Sequence, residues 1–269
     1  MCHADAYENA IVKLTIITVC RNEESSIADT IENVIAQRFV NYEYIIVDGG
    51  STDGTVETIE KYRHRIAKFV SEPDRGIWHG MNKGIGMAEG EYVYFINAGD
   101  RFYAEDTLQR VFDTGVDDAD FIYGDIVDQY PDRRHLKTFP DRITIRYLLG
   151  NMICHQATFA RRELFLKYGS FDEQYRFVAD YDFLWRCVIK YSVSYRHLAF
   201  PIAYYDTQGF TSDPSNRDRL VAEWNAVHRA YIPLFARFYI NYLNPVLTKY
   251  DFPPFRIASK LLSRVARID

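Results

Sequence analysis

The sequence predicts an α/β fold built on a mostly parallel, doubly wound sheet, and three observations carry that expectation. Short β-branched and aromatic runs recur along the chain, long enough for strands buried on both faces. After each run comes a polar loop and then apolar residues at helical spacing. Two of the runs also end alike: 92–96, Tyr-Val-Tyr-Phe-Ile, stops at Asn97-Ala98-Gly99-Asp100, and 44–47 stops at Asp48-Gly49-Gly50. Ligands of open α/β sheets collect beyond the carboxyl ends of the strands, so two acids delivered there suggest one crevice lined by both. For either acid alone, an Asx turn closing a strand is the better account.

Residues 14–19 form the first expected strand, ending in Cys20-Arg21-Asn22-Glu23-Glu24. Ser26 with Asp29 reads as a capping box, and Ile27, Ile31, Val34 and Ile35 keep one helical face. The second strand, 44–47, leads to a helix capped by Asp53 or Thr55 and carrying Val56, Ile59, Arg63 and Ile66. A short strand at 68–71 passes through Glu72-Pro73-Asp74-Arg75-Gly76 into a helix with Met81, Ile85 and Ala88, stopped by Gly90 at its C-cap. Beyond the 92–96 strand, Leu108 and Phe112 mark a helix and 121–123 another strand. The charged stretch 125–140, interrupted by Pro131 and Pro140, predicts a mobile excursion or a hairpin. Residues 153–159 predict a strand carrying His155 and Gln156. A helix follows over 180–191, burying Phe183, Leu184, Cys187 and Val188, and then two short strands, 194–198 and 199–205. From Arg217 onward the pattern is helical only. The expected organisation is one domain over 1–212 and a helical C-terminal extension over 213–269.

Composition narrows the chemistry. With 48% hydrophobic and 26% charged residues the chain reads as soluble and globular, and a formal net charge of -5 argues against a nucleic-acid surface. Cys2, Cys20, Cys154 and Cys187 are scattered without a CxxC pair, which indicates neither a zinc site nor a disulfide framework and fits reduced thiols in a cytoplasm. Residues 1–13 carry Asp5 and Glu8 with no basic region, unlike a signal peptide, and no apolar run approaches membrane-spanning length. Near the other end, Arg256, Lys260, Arg264 and Arg267 lie beside Ile257, Leu261, Val265 and Ile268 on a helical projection. Such a basic amphipathic helix suits the anionic inner leaflet of a membrane, at about 1 kcal/mol per basic residue, and equally suits docking on its own domain.

Several common chemistries are absent. Gly84-Ile85-Gly86 with Gly90 imitates a dinucleotide fingerprint, but it precedes a strand instead of following one. Gly49-Gly50-Ser51 begins like a nucleophile elbow and has Asp53 where the last glycine belongs. There is no Walker loop and no HExxH.

Six ordered stretches carry a family resemblance: Thr15-Ile-Ile-Thr-Val-Cys-Arg-Asn22, Ile45-Ile-Val-Asp-Gly-Gly-Ser-Thr-Asp-Gly-Thr55, Asp74-Arg-Gly-Ile77, Met81-Asn-Lys-Gly84, Ala88-Glu-Gly-Glu91 and Asn97-Ala-Gly-Asp100. Together, from about Leu14 to Ser212, they resemble family 2 glycosyltransferases of the GT-A fold, with the flavour of bacterial enzymes that build exopolysaccharide, capsule or lipopolysaccharide units. That resemblance implies inverting transfer of a sugar from a nucleotide donor, usually UDP-linked, to a saccharide or lipid-linked saccharide acceptor, with Mn²⁺ or Mg²⁺ as cofactor. By position it implies that Thr18, Arg21 and Glu23 border the nucleotide, that Asp48 accepts from the base N–H, and that Arg75 lies over the base or phosphates. Asn97 falls at the donor and Asp100 at the metal, where the family's usual Asp-x-Asp is thinned to Asn97-Ala98-Gly99-Asp100. Asp180, in Val178-Ala-Asp-Tyr-Asp-Phe-Leu-Trp-Arg186, matches the catalytic base, a role compatible with capping its helix, and Asp182 is the fallback, better read as structural. His155 and Gln156 fall at donor phosphate or acceptor. Trp78 and Trp185 are better placed in the core than on a sugar ring. Two rivals are a sugar-nucleotide pyrophosphorylase, which needs a Gly-rich basic loop after the first strand, and a catalytically silent module that binds nucleotide sugar or glycan.

Overall fold

The computed structural model describes residues 12–115, 118–207 and 214–232. Strands β1 (Leu14–Cys20), β2 (Tyr42–Asp48), β3 (Lys68–Ser71) and β4 (Tyr92–Phe95) run parallel in the spatial order β3-β2-β1-β4. Their apolar residues point both ways. Ile17, Val19, Ile45 and Val47 enter one core layer, while Leu14, Ile16, Tyr44 and Ile46 enter the other. Each such side chain taken fully out of water contributes about 1.5–3 kcal/mol, which is why these strands read as continuous apolar runs. The sheet continues with β5 (Arg101–Phe102), β6 (Phe121–Gln129), β7 (Arg134–Lys137), β8 (Thr158–Arg161) and β9 (Tyr195–Asp206), in the order β4-β8-β6-β9-β5, with β7 paired along β6. β8 enters antiparallel to both neighbours, and β6 and β9 are parallel to each other.

Helices α1 (Ile27–Ile35), α2 (Thr55–Lys61), α3 (Ile77–Met87), α4 (Thr107–Asp113), α5 (Ile145–Leu148), α6 (Arg162–Tyr168), α7 (Ala179–Leu184) and α8 (Arg217–Tyr231) cover the sheet. The layers are divided by pattern: α1 seals one face through Ile27, Ile31 and Val34, and α3 seals the other through Met81 and Ile85. Register then fixes the working edge. Cys20 pairs with Asp48, Asp48 with Ser71 and Ile17 with Phe95, so β1, β2, β3 and β4 end along one side of the sheet.

Four local expectations change. Residues 153–159 are not one strand: His155–Ala157 is a single 3-10 turn and β8 begins only at Thr158. The turn is closed by Cys154 O, which accepts from Ala157 N and from the Thr158 hydroxyl. The two short strands expected at 194–205 are one strand, β9, with register shifts opposite Gly124 and Asp125. Ser26 occupies the N-cap of α1 without capping it, because its hydroxyl donates to Glu23 Oε2 at 2.5 Å. Gly90 is not a left-handed cap; α3 ends at Ala88, and Gly90 is needed because a Cβ there would lie 2.5 Å from Thr15 N. Of the two expectations for the charged stretch 125–140 the hairpin holds: β6 and β7 pair antiparallel from Ile126 with Lys137 to Gln129 with Arg134.

α8 packs on α7 and on the residues that lead into it. Glu223 accepts from Arg176 N and Phe177 N, Trp224 stacks on Tyr181 at 5.1 Å, and the Tyr231 hydroxyl donates to Asp182 Oδ1 at 2.8 Å. Trp78 and Trp185 are both core residues, with Trp78 donating from Nε1 to Arg176 O. The basic stripe at 256–267 lies outside the described residues. Among those residues no helix is long and apolar enough to cross a membrane.

Candidate active site

Two groups of side chains occupy the carboxyl edge of the sheet. The first is a pair of loops that follow β1 and β2 and are stitched together. Asn22, in a left-handed conformation at φ 57°, accepts through Oδ1 from Thr52 N at 2.8 Å, and its own N–H donates to Ser51 Oγ at 2.7 Å. Glu23 N donates to Thr55 Oγ1 and Glu24 N to Asp53 Oδ2. Gly50, at φ 79°, makes the sharp turn between them. Arg21 is exposed beside this turn, its Cβ 3.5 Å from where a Gly49 Cβ would stand.

Two residues expected at a nucleotide here are buried and already hydrogen-bonded within the protein. Asp48 is wholly buried: Oδ2 accepts from Gly50 N, Ser51 N and Ser71 Oγ, and Oδ1 from the Ser51 hydroxyl. Three donors from its own turn and one from β3 make this carboxylate hold the loop's shape. Thr18 is also wholly buried, its hydroxyl donating to Ile96 O at 2.8 Å beside Tyr44 Oη. It ties β1 to the last residue before Asn97. Arg75 remains outside, 73% exposed and paired with Glu173 at 2.8 Å.

The second group is assembled by the turn between Cys154 and Thr158. Gln156 Nε2 donates to Asp100 Oδ2 at 3.0 Å. The neighbouring His155 places Nδ1 3.0 Å from Asp180 Oδ2 and Nε2 3.0 Å from Asn97 Nδ2. Two consecutive residues thus reach two acids from different elements, Asp100 after β4 and Asp180 in the first turn of α7. Gly99, at φ 93°, lets the chain bend so that Asp100 turns inward. Its second oxygen accepts from Asp206 N at 3.0 Å, and burial pushes the Asp100 acid up to about 6, with the Asp206 carboxylate raising it further and both hydrogen bonds opposing. Burial likewise pushes the Cys154 thiol up to about 12, so Cys154 sits beside the turn as an inert neutral group. Asp180 completes its environment with Tyr181 N donating to Oδ1, above a small cavity walled by Phe95, Phe165, Phe171 and Phe183. Asp182 is the structural neighbour: it pairs with Arg186 at 2.8 Å and receives Tyr231.

Asp206 was not among the residues singled out in the sequence, although its signal was present. It is a third acid at the carboxyl end of a strand. Hard carboxylate oxygens at Asp100 and Asp206 are the donor type Mn²⁺ and Mg²⁺ prefer, and the buried Asp100 has a reason to welcome a cation. Among the described residues no three His, Cys, Asp or Glu side chains converge, so such an ion would draw the rest of its shell from a ligand and water.

Residues 15–169 match the model of the family described as Glycosyl transferase family 2. The chain belongs to that family. This transferase is 31% identical over 205 residues to a PGL/p-HBAD biosynthesis glycosyltransferase of Mycobacterium bovis, a match spanning 74% of this chain and 78% of the relative. Its fold is shared with S. aureus TarS residues 1–349 in complex with UDP, at TM-score 0.61 and 18% identity over 85% of this chain and 75% of that one. The mannosyltransferase PcManGT from Pyrobaculum calidifontis, in complex with GDP-Man and Mn²⁺, gives TM-score 0.56 and 18% identity over 93% and 84%. The transferase therefore has the GT-A fold, with both groups of site residues at the carboxyl edge of its sheet.

Proposed function

We propose that this chain is an inverting glycosyltransferase that moves a sugar from a nucleotide donor, UDP-linked by preference, onto a hydroxyl of a saccharide or lipid-linked saccharide destined for the cell surface. The observation that carries the reading is the turn at 155–156, which holds two acids of different chemistry side by side. One, Asp100, is buried beside a second carboxylate and suits a cation; the other, Asp180, sits at the mouth of a helix in a hydrogen-bonded socket and suits proton abstraction. UDP and UDP-GlcNAc accompany TarS, and GDP-Man with Mn²⁺ accompanies PcManGT, which supports the donor class.

In this mechanism the stitched loops carrying Arg21 and Glu23 border the base and ribose, with Asp48 and Thr18 holding them from beneath. Arg75, on leaving Glu173, meets the diphosphate. Asp100 and Asp206 would hold Mn²⁺ or Mg²⁺, which supplies charge compensation as negative charge builds on the departing diphosphate. Asp180 takes the proton of the acceptor hydroxyl as that oxygen attacks the anomeric carbon from the face opposite the diphosphate, and the anomeric C–O bond to the diphosphate breaks. An alcohol is a poor nucleophile at neutral pH, so the base supplies a term of about 10² to 10⁴ in rate. Work at the cytoplasmic face of a membrane, on an acceptor carried by lipid, agrees with the basic stripe at 256–267.

Measuring UDP release from a panel of UDP-sugars with saccharide and lipid-linked acceptors tests this. Release dependent on both donor and acceptor, with product of inverted anomeric configuration by NMR, is the expected result. Tight UDP-sugar binding without any turnover would favour a silent binding module.

A further inference from the structure

His155 fell by resemblance at phosphate or acceptor, yet the structure turns both of its ring nitrogens away from solvent. The ring is 13% exposed and sits edge-on to Trp78 and Phe95, at centroid distances of 6.3 and 6.4 Å and angles of 83° and 89°. Both nitrogens are engaged by protein, Nε2 with Asn97 Nδ2 and Nδ1 with Asp180 Oδ2, each at 3.0 Å. An amide nitrogen only donates, so Nε2 accepts from Asn97 and the ring proton resides on Nδ1. In that arrangement Asn97 Oδ1 is buried and finds no partner among the described residues. The opposite amide orientation would need N–H on both ring nitrogens and would strand the two N–H groups of Asn97 instead of one carbonyl, the costlier exchange.

We propose that His155 is a positioning residue for the base: an imidazole whose Nδ1–H, set toward Asp180 by the Asn97 amide on Nε2, aims the Asp180 carboxylate. The proposal rests on the reading of Asp180 as general base. A donated N–H fixes the plane of the carboxylate, so the remaining lone pairs present one geometry to the acceptor hydroxyl. With Tyr181 N on the other oxygen, Asp180 is gripped at both ends. Asn97 in turn becomes the link between the donor-side loop that ends in Asp100 and the base on α7, since one amide sets the tautomer on which the Asp180 contact depends. The unpartnered Asn97 carbonyl is the free end of this line of hydrogen bonds, Asn97 to His155 to Asp180.

Two full-length variants separate the ring's two contacts. In His155→Asn the side-chain amide can stand where Nδ1–H stood and still donate to Asp180. In His155→Gln it reaches the Nε2 position and loses Asp180. We expect His155→Gln to lose about 10- to 100-fold in kcat, the usual effect of removing an orienting partner, with His155→Asn keeping most of it and both variants retaining the wild-type Kd for UDP by calorimetry within about twofold. Retained UDP binding also shows that each variant is folded. Equal kcat for the two variants would overturn the proposal. A tenfold loss of UDP affinity in both would overturn it too, because it would place the ring against the diphosphate. A readout independent of turnover is the long-range ¹H–¹⁵N spectrum of the wild-type histidines. The expected pattern for His155 is a neutral ring protonated on Nδ1, and an Nε2-protonated or doubly protonated ring at pH 7.5 sinks the proposal. If wild type releases no UDP with any donor and acceptor, the general-base reading fails, while the spectrum still decides how His155 is held.

Discussion

At the scale of single residues the division of labour between Asp100 and Asp180 makes two separable predictions. Asp180→Asn keeps the shape and hydrogen-bonding capacity of the side chain and removes only its basicity. UDP affinity should stay within about twofold of wild type while turnover falls about 10² to 10⁴, measured by calorimetry and UDP release. Asp100 differs because it is buried and its acid is raised to about 6. An aspartate whose acid is stronger in the unfolded chain, where it titrates near about 3.9, binds its proton more tightly when folded. In the metal-free protein the Asp100 contribution to stability should therefore be most favourable below about pH 4, decline as the pH rises to about 6 and stay lower above that. Asp100→Asn removes the buried charge, and the Gln156 amide can turn to face it with Oε1. The variant should be more stable than wild type at pH 8 in the presence of chelator, by a shift on the order of 1–3 kcal/mol in urea unfolding, and no more stable at pH 4. A stability difference of the same size at both pH values would contradict the assignment.

At the scale of elements the sheet and its covering helices depend on a few close approaches. Gly90→Ala would place a Cβ 2.5 Å from Thr15 N and 2.7 Å from Leu14 C, where backbone and not a flexible side chain must move. A loss of about 1–3 kcal/mol in urea unfolding is expected. At the start of α7, Glu223→Ala removes the acceptor of Arg176 N and Phe177 N; we expect destabilisation of about 1–3 kcal/mol and a lower kcat, because these bonds hold the turn that leads into Asp180. Gly90 also shows what sequence reading can reach. Its presence before a buried strand was legible, but its reason was not, because a contact with Thr15 joins residues 75 positions apart. The strands from β1 to β4 were legible because burial on both faces leaves an uninterrupted apolar run. The 155–156 turn was not, since Ile153 to Phe159 alternates well enough for a strand, and the bonds that shape the turn include long-range ones from Gln156 to Asp100 and His155 to Asp180. The hydrogen bonds of Asp48 and Thr18 were hidden in the same way, because Ser51, Ser71 and Ile96, which take them up, come from a loop and neighbouring strands that local pattern does not orient. The pairing of α8 with α7 has no local signal at all.

At the scale of the whole molecule the account is of two half-sites on one sheet edge. In the proposed mechanism the stitched β1 and β2 loops serve the nucleotide, and the acids around the 155–156 turn serve the reaction. Two protein carboxylates cannot satisfy a six-coordinate cation, so metal and nucleotide should bind as partners, each raising the affinity of the other by the same factor. The most direct test of the central claim, that Asp100 and Asp180 serve one site in different roles, is calorimetric titration of UDP into wild type, Asp100→Asn and Asp180→Asn, with and without Mn²⁺. The account predicts that Mn²⁺ tightens UDP binding to wild type and Asp180→Asn alike and that Asp100→Asn loses that enhancement. Enhancement undiminished in Asp100→Asn, or abolished equally in both variants, would contradict it.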